Sequence, residues 1–554
     1  MNGLLLATVF LPLIGALALW IVAPLGRQVV RLVALGVTLA TLLCAARLLL
    51  NFPTDASQQA SYALSEWSWL GQVPGVNFDI RFALALDGLG LWMFGLSALL
   101  MVTAVLVSWE AISQRAPLFY AMLLLLECGC LGVFSARDIV LFYIFFEFTL
   151  IPLFFLIGIW GSEDRRHAAN KFFLYTLAGS MLTFLGLLAL VFWAYKSNEG
   201  NELLTFSIPQ LTSQLADVHM PLTWQLLIFW ALFAGFAIKV PLFPLHTWLP
   251  LAHVQAPTAG SVILAGILLK IGVYGFLRFS IPMLPEASAM MMPWLLWLSV
   301  AGILYGALVA LAQADIKRLI AYSSVSHLGY CTLGLFAFTA TGVQGSVLQM
   351  VNHGISTGGL FAIVGMIYER YHSRQIADFG GLARRLPILS LFLLIFTFSS
   401  IGLPGMNGFA GEFLILLGMF QRAWTGAPSD LQPQLLTISV LSVLGVVLGA
   451  WYMLLLVRRV FFGPLKEPHT DNHHPIHDLN IREILALAPL VLFIFWIGLR
   501  PGDFLTPMNS SIQRATQRVV TRLDAQLESS SLAAAPQTED ASETAQKSST
   551  PTHP

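Results

Sequence analysis

Apolar runs of about twenty residues recur along almost the whole chain, long enough to cross a bilayer as helices. Backbone groups in lipid have no water to bond. A spanning segment must therefore pair its own N–H and C=O groups as a helix, or close with others into a barrel. The short alternating strands of a barrel are absent from the pattern. Of the 554 residues, 57% are hydrophobic and 10% are charged, against roughly 25% charged in a soluble protein. The expected fold class is all-α polytopic membrane protein. A formal net charge of zero argues against a nucleic-acid partner.

About fourteen runs can be marked, roughly at 4–23, 29–50, 87–109, 117–135, 138–159, 168–194, 222–246, 259–280, 294–312, 319–338, 344–368, 388–418, 436–461 and 483–500. No basic residue precedes the first, which reads as a retained span rather than a cleaved signal. Two connections, 51–80 and 196–221, are long and polar. A third, 463–482, is rich in His and Pro (His469, His473, His474, His477) and reads as a solvated loop rather than a metal site. Segment 508–528 places Ile512, Ala515, Val519 and Leu523 on one face, as an amphipathic helix would. The Ser-, Thr- and Pro-rich tail 529–554 is expected to be disordered. Basic residues concentrate in the loops after odd-numbered runs, as in Arg165–Arg166, Lys317–Arg318, Arg384–Arg385 and Arg458–Arg459. Those loops should face the cytoplasm, with both termini outside.

The cysteines Cys44, Cys128, Cys130 and Cys331 all fall in or beside apolar runs. Their spacing fits no common metal site, and they read as small helix residues.

Ionisable residues inside the runs carry the functional signal: Glu147, Lys239, Lys270, His327, His353 and Glu412. A Lys or Asp at a helix centre costs about 2.5–3.5 kcal/mol on insertion. Structural ion pairs are the plainer explanation for any one of them. A series spread over six runs points instead to a proton or ion path. The residue types suit protons. Burial weakens a lysine's hold on its proton and a nearby carboxylate restores it, so Glu147 and Lys239 could act as a switch. Histidine relays near neutral pH with little tuning.

Two runs also contain helix breakers. Pro241 and Pro244 follow Lys239 in "FAIKVPLFPLHTW", and "SSIGLPGMNGFAGEF" sets Pro404 and several glycines ahead of Glu412. Irregular backbone at membrane depth survives only inside protein or beside a wet cavity. Breaks five runs apart suggest two related halves, a transporter device.

The stretches "AANKFFLYTLAGSMLTF", "KVPLFPLHTWLPLAHVQAPTAGSVILAGILLK", "QADIKRLIAYSSVSHLGY", "NHGISTGGLFAIVGMIYER" and "GLPGMNGFAGEFLIL" resemble the antiporter-like membrane subunits of respiratory complex I, NADH-quinone oxidoreductase. The resemblance runs over about residues 1–500. It implies fourteen core helices, two inverted five-helix repeats and broken helices 7 and 12. The expected organisation is helices 1–3 in 1–116, the repeats in 117–280 and 281–462, a loop with helix 14 in 463–507, then the amphipathic helix and the tail. By the same resemblance, Glu147 and Lys239 match the glutamate and lysine of the first half. Lys270 matches the connecting lysine, His246, His327 and His353 the relay histidines, and Glu412 the exit residue. Glu412 stands where sister subunits L and N and related cation/proton antiporters usually carry lysine. Leu251 stands where many members have Asp.

The expected function is proton translocation driven by NADH oxidation and quinone reduction in partner subunits, with subunits L and N as neighbours in a bacterial inner membrane. The sequence holds no Cys set for iron–sulfur clusters and no dinucleotide fingerprint, so no cofactor is expected in this chain. NADH, FMN, clusters and quinone would belong to partners. The rival readings are a sodium/proton antiporter subunit and a structural or quinone-binding protein without an ion path.

Overall fold

A computed structural model describes residues 1–70, 77–197, 203–428, 430–468 and 476–534. Eleven of the described helices are long and apolar enough to cross a membrane. Their burial sorts them. Thr258–Met283 and Ala340–Tyr371 bury the whole of their most apolar stretch, whereas Arg27–Leu50 and Ile481–Leu499 bury 33% of theirs. Exposed Leu, Ile and Trp on the outer helices, such as Leu17, Trp20, Leu43, Leu485 and Leu492, form an apolar surface suited to lipid tails. The two buried helices make up the centre of the bundle, and they carry Lys270 and His353.

The expected long runs break where the prolines and glycines predict. The Leu222–Lys239 helix ends at Lys239, and the next begins at Trp248. The run expected at 388–418 is two helices, Pro387–Ser400 and Asn407–Thr425. Between them Gly402 and Gly405 take positive φ, a conformation that disfavours side chains.

The all-α expectation needs one correction: the chain is mostly helical, with a three-stranded sheet. Strand β1 (Tyr62–Leu70) pairs antiparallel with β2 (Asn77–Leu86), and β2 pairs parallel with β3 (Leu203–Thr205). Strands β1 and β3 lie in the two long connections read as polar, and β2 begins in the first of them and continues up to the run expected from 87. Outside a bilayer, water satisfies an open sheet edge, so the helix-only constraint lapses there. The His-rich segment falls largely outside the described residues, at 469–475. The last helix runs Gly502–Ala534, starting earlier than 508 and entering the segment expected to be disordered. Residues 535–554 of that expected tail lie outside the described residues.

That last helix lies on the same side as the sheet. Ile512, Ala515, Val519 and Leu523 are buried beneath it. Ser511 accepts from the Gly88 amide (3.1 Å), Arg518 donates to Pro282 and Leu215 carbonyls (3.0 Å each), and Arg522 pairs with Glu286 (2.8 Å). Beneath it sits a buried ionic knot. Asp87 accepts two bonds from Arg278 (2.6 and 2.7 Å) and one from Arg137 (2.9 Å), and also caps the Leu89 and Gly90 amides. One carboxylate thus ties the starts of two helices to the end of the buried Thr258–Met283 helix.

Asp87→Ala would leave two buried guanidinium groups without their carboxylate, at a cost of about 3–5 kcal/mol. The purified complex should lose this subunit at a lower temperature than wild type in a heating series read by native electrophoresis. An unchanged profile would show that the knot does not hold the fold.

Candidate functional site

The centre of the site follows from a close approach of two helices. A Cβ at Gly354 would come within 2.7 Å of the Gly266 carbonyl oxygen, so the two buried helices can meet this closely only because residue 354 is glycine. Gly354 follows His353, and Gly266 lies one turn before Lys270. Lys270 Nζ consequently stands 2.7 Å from His353 Nδ1 and also donates to the Ala265 carbonyl. Ala265 is part of a π-helical turn, Leu264–Leu268, a local widening common at functional sites.

The contact extends outward through further buried groups. The His353 and His327 ring centroids are 5.4 Å apart. His327 comes from the Ile316–Phe336 helix, and its Nδ1 is 2.9 Å from Glu412 Oε1. Its Nε2 is 3.2 Å from the Ser400 hydroxyl. Gln349 Nε2 donates to the same Glu412 oxygen (3.0 Å). Lys270, His353, His327 and Glu412 are 0–6% exposed, so the row lies inside protein. Glu412 follows the irregular segment after Ser400, which is pinned from the centre. Asn352 Nδ2 donates to the Asn407 carbonyl (2.7 Å), Asn407 Nδ2 returns a bond to the Asn352 carbonyl (3.3 Å), and Ser399 donates to Asn407 Oδ1 (2.6 Å).

The other three candidates stand apart from this row. Lys239 is buried, with Nζ 4.5 Å from the Phe146 ring centroid. No ion pair within 4 Å joins it to Glu147 among the described residues, and Glu147 Oε1 is buried without a hydrogen-bond partner. The two groups are still within electrostatic reach. The break beyond Lys239 is capped twice: Trp248 Nε1, from the next helix, donates to the Ile238 carbonyl (3.0 Å), and the Leu242 amide within the break donates to the Ala237 carbonyl (2.9 Å). Pro241 and Pro244 sit inside this closed turn. His246 packs against Tyr305 and Phe243, with Nδ1 unpartnered. Pro404 lies in the second break, between Gly402 and Gly405.

Several residues escaped the sequence reading. Glu127 is fully buried in the Ala116–Ser135 helix, and neither oxygen has a hydrogen-bond partner among the described residues. A carboxylate inside an apolar run was the signal used for Glu147, and it applied equally here. His253, seven residues after His246, is fully buried, and neither ring nitrogen is bonded by a group among the described residues. Gln349 and Ser400 touch the relay but are neutral, so no charge signal marks them. Among the described residues, no group of three or more His, Cys, Asp or Glu is placed to hold a metal.

A buried file of Lys, His and Glu through a helical membrane bundle with two broken helices defines a cation- or proton-translocating membrane subunit. The family described as NADH:quinone oxidoreductase/Mrp antiporter, TM, matches residues 136–428. The chain is 39% identical over 511 residues to NADH-quinone oxidoreductase subunit M of Rickettsia bellii, covering 91% of this chain and 97% of that one. It is 41% identical over 513 residues to subunit M of Rhodobacter capsulatus, covering 91% and 94%. In the solved respiratory complex I from Thermus thermophilus with bound NADH, one chain matches at TM-score 0.78 and 30% identity, covering 92% of this chain and 99% of that one. The chain therefore belongs to the antiporter-like, proton-translocating membrane subunits of NADH-quinone oxidoreductase, of the subunit M kind. It is a multi-pass membrane protein and part of respiratory complex I.

The Gly266–Gly354 approach should be necessary for the Lys270–His353 contact. Gly354→Ala is expected to force the helices apart at a packing cost of about 1–3 kcal/mol and to lower the protons moved per NADH. Gly358→Ala, whose added methyl meets no backbone and only the Leu100 and Val262 side chains, at 3.1 Å or more, should pump normally. Proton uptake by vesicles containing each assembled variant compares the two, and equal yields would remove the approach from the mechanism.

Proposed function

We propose that the proton path of this subunit runs from the Glu147–Lys239 group through Lys270, His353 and His327 to Glu412, with His246 beside the first break. The observation that carries the reading is the buried contact row from Lys270 to Glu412. A protonated Lys270 can pass its proton across 2.7 Å to His353 Nδ1. The His353 imidazolium then loads His327, whose Nδ1 lies 2.9 Å from the accepting Glu412 oxygen. One proton shared along the row keeps any buried group from holding an unpaired charge for long, which would cost several kcal/mol. Upstream, Lys239 rests against Phe146 rather than Glu147. Moving the carboxylate toward the ammonium would load the lysine, and withdrawing it would release the proton.

The organisation that supports this path has fourteen crossings: the eleven long helices, the shorter Leu91–Val107 and Pro387–Ser400, and Ile316–Phe336. The halves 117–280 and 281–462 form inverted repeats, each with one break. The basic loops face the cytoplasm of a bacterial inner membrane and both termini face outward. Subunits L and N flank this one. NADH, FMN, iron–sulfur clusters and quinone belong to partner subunits, whose redox chemistry drives the path.

Lys239→Ala should assemble but fail to pump, and Glu147→Asp should keep more activity than Glu147→Ala. Glu412→Gln keeps shape and hydrogen bonding but cannot titrate, so it should stall the path, with Glu412→Asp milder. NADH oxidation and proton uptake measured together in reconstituted vesicles decide this. Normal values of both for Glu412→Gln would take that residue off the path. For topology, a cysteine at exposed Thr521 should react with an impermeant maleimide from the outer face, and one at exposed Ala312 from the cytoplasmic face. The reverse pattern would invert the assignment.

A further inference from the structure

Hydroxyls buried in the helices of this chain commonly bond a carbonyl one turn back, as Ser97 does to Met93, Thr176 to Phe172 and Ser390 to Leu386, at 2.7 Å each. Two consecutive serines at the end of the Pro387–Ser400 helix do otherwise. Ser399 donates to Asn407 Oδ1 (2.6 Å) and so holds the break. The buried Ser400 hydroxyl lies 3.2 Å from His327 Nε2. The other ring nitrogen, Nδ1, lies 2.9 Å from Glu412 Oε1, so both sides of the imidazole are engaged at once.

The direction of these bonds follows from their neighbours. The Asn407 carbonyl can only accept, so the Asn352 amide atom 2.7 Å from it is the nitrogen. A second hydrogen on that nitrogen points to Gln349 Oε1 (3.4 Å), which leaves Gln349 Nε2 to donate to Glu412 Oε1 (3.0 Å). An ionised carboxylate only accepts. His327 must therefore present N–H at Nδ1, and Nε2 is left with the lone pair that the Ser400 O–H meets.

We propose that Ser400 and Gln349 are positioning residues that hold His327 and Glu412 as a committed donor–acceptor pair. Gln349 fixes the carboxylate oxygen, and Ser400 keeps the neutral ring in its Nδ1–H form. The inference rests on the relay reading above and adds what decides which ring proton is delivered. In the resting pair the proton that crosses to Glu412 is already in place at Nδ1, and an incoming proton can add only at Nε2. A serine hydroxyl carries both a donor and lone pairs. It donates to Nε2 before that arrival and turns to accept from Nε2–H after it, so the ring keeps its place in both states. When Glu412 is ionised again, the Nδ1–H form is restored because it alone gives the carboxylate a donor and the hydroxyl an acceptor. Losing one such hydrogen bond shifts the placement of the ring proton by about fivefold.

The test uses the whole complex in reconstituted vesicles, with protons moved per NADH as the reading and native electrophoresis as the check on assembly. Ser400→Thr keeps a donor hydroxyl and should keep most of the yield. Ser400→Ala removes the donor and Ser400→Cys replaces it with a weak one. Both should lower the yield, by less than Glu412→Gln does. Gln349→Met keeps the length without the donor and should show a similar loss. A packing role predicts a different order. Ser400→Cys, close to serine in volume, would then be normal, and Ser400→Thr, with its extra methyl, would be lowest. That order overturns the proposal, as does a normal yield for Ser400→Ala or Gln349→Met beside a stalled Glu412→Gln, which leaves the relay standing. Loss of assembly in both Ser400→Ala and Ser400→Cys also overturns it, since the serine would then be holding the fold rather than the ring. A normal yield for Glu412→Gln would mean that the relay reading itself has failed.

Discussion

The contact between Lys270 and His353 is the constraint on which the rest of the bundle depends. Two ionisable groups meet where the protein excludes water, on the two helices whose most apolar stretches are wholly buried. A lone charge there would cost several kcal/mol even after relaxation. The fold meets this by bringing the backbones together at Gly266 and Gly354, which shortens the lysine–imidazole distance to that of a strong hydrogen bond. The same approach excludes bulky side chains from the seam, which leaves the polar row continuous toward His327 and Glu412. Packing and chemistry are therefore one problem at this position.

The breaks in the two helices have a physical purpose that differs between them. Lys239 is the last residue of its helix. A cation at a helix C-terminus gains from the unpaired carbonyls, by about 0.3–1 kcal/mol when exposed and up to about 2 kcal/mol in a partly buried setting. Charge and helix breakers thus occur together because ending the helix at Lys239 makes its ammonium cheaper to bury, and Trp248 closes the carbonyl that the break leaves open. At the second break the charged residue comes after the interruption. There Gly402 leaves room beside the Glu412 carboxylate, its absent Cβ falling 3.3 Å from Oε2, and Asn352 locks the irregular backbone to the His353 helix. The first break stabilises a charge, and the second makes space for one.

Much of this was legible in the residues. Long apolar runs forced helices, and the prolines marked both interruptions within a few residues. The charges inside the runs picked out Lys270, His353, His327 and Glu412, which the structure brings into a row. What escaped has identifiable causes. Strands β1 and β3, and the start of β2, lie in connections where the bilayer no longer dictates helix, so polarity alone read as loop. Phe146 as the neighbour of Lys239 could not be seen, because aromatic residues are everywhere in "VLFYIFFEF" and only the fold selects one. Gln349 and Ser400 are neutral and ordinary in helices. Glu127 carried the same signal as Glu147, a carboxylate inside an apolar run.

The distribution of cation types separates frame from path. The buried or half-buried ion pairs that tie helices together use arginine: Arg278 and Arg137 on Asp87, and Arg370 on Glu483 at 2.7 Å. Guanidinium keeps its proton at any physiological pH and presents a planar fork that holds a carboxylate in one geometry. Such a group fixes charge and position together, which a frame needs and a relay cannot use. The row from Lys270 to Glu412 contains no arginine. It uses lysine, histidine and carboxylate, whose proton affinity answers to burial and to neighbouring charge. Arg278 closes the same buried helix that carries Lys270, eight residues away. One helix thus holds an ionic anchor that cannot titrate at its end and a titrating group near its middle. A proton can move through the row without loosening the bonds that keep it aligned.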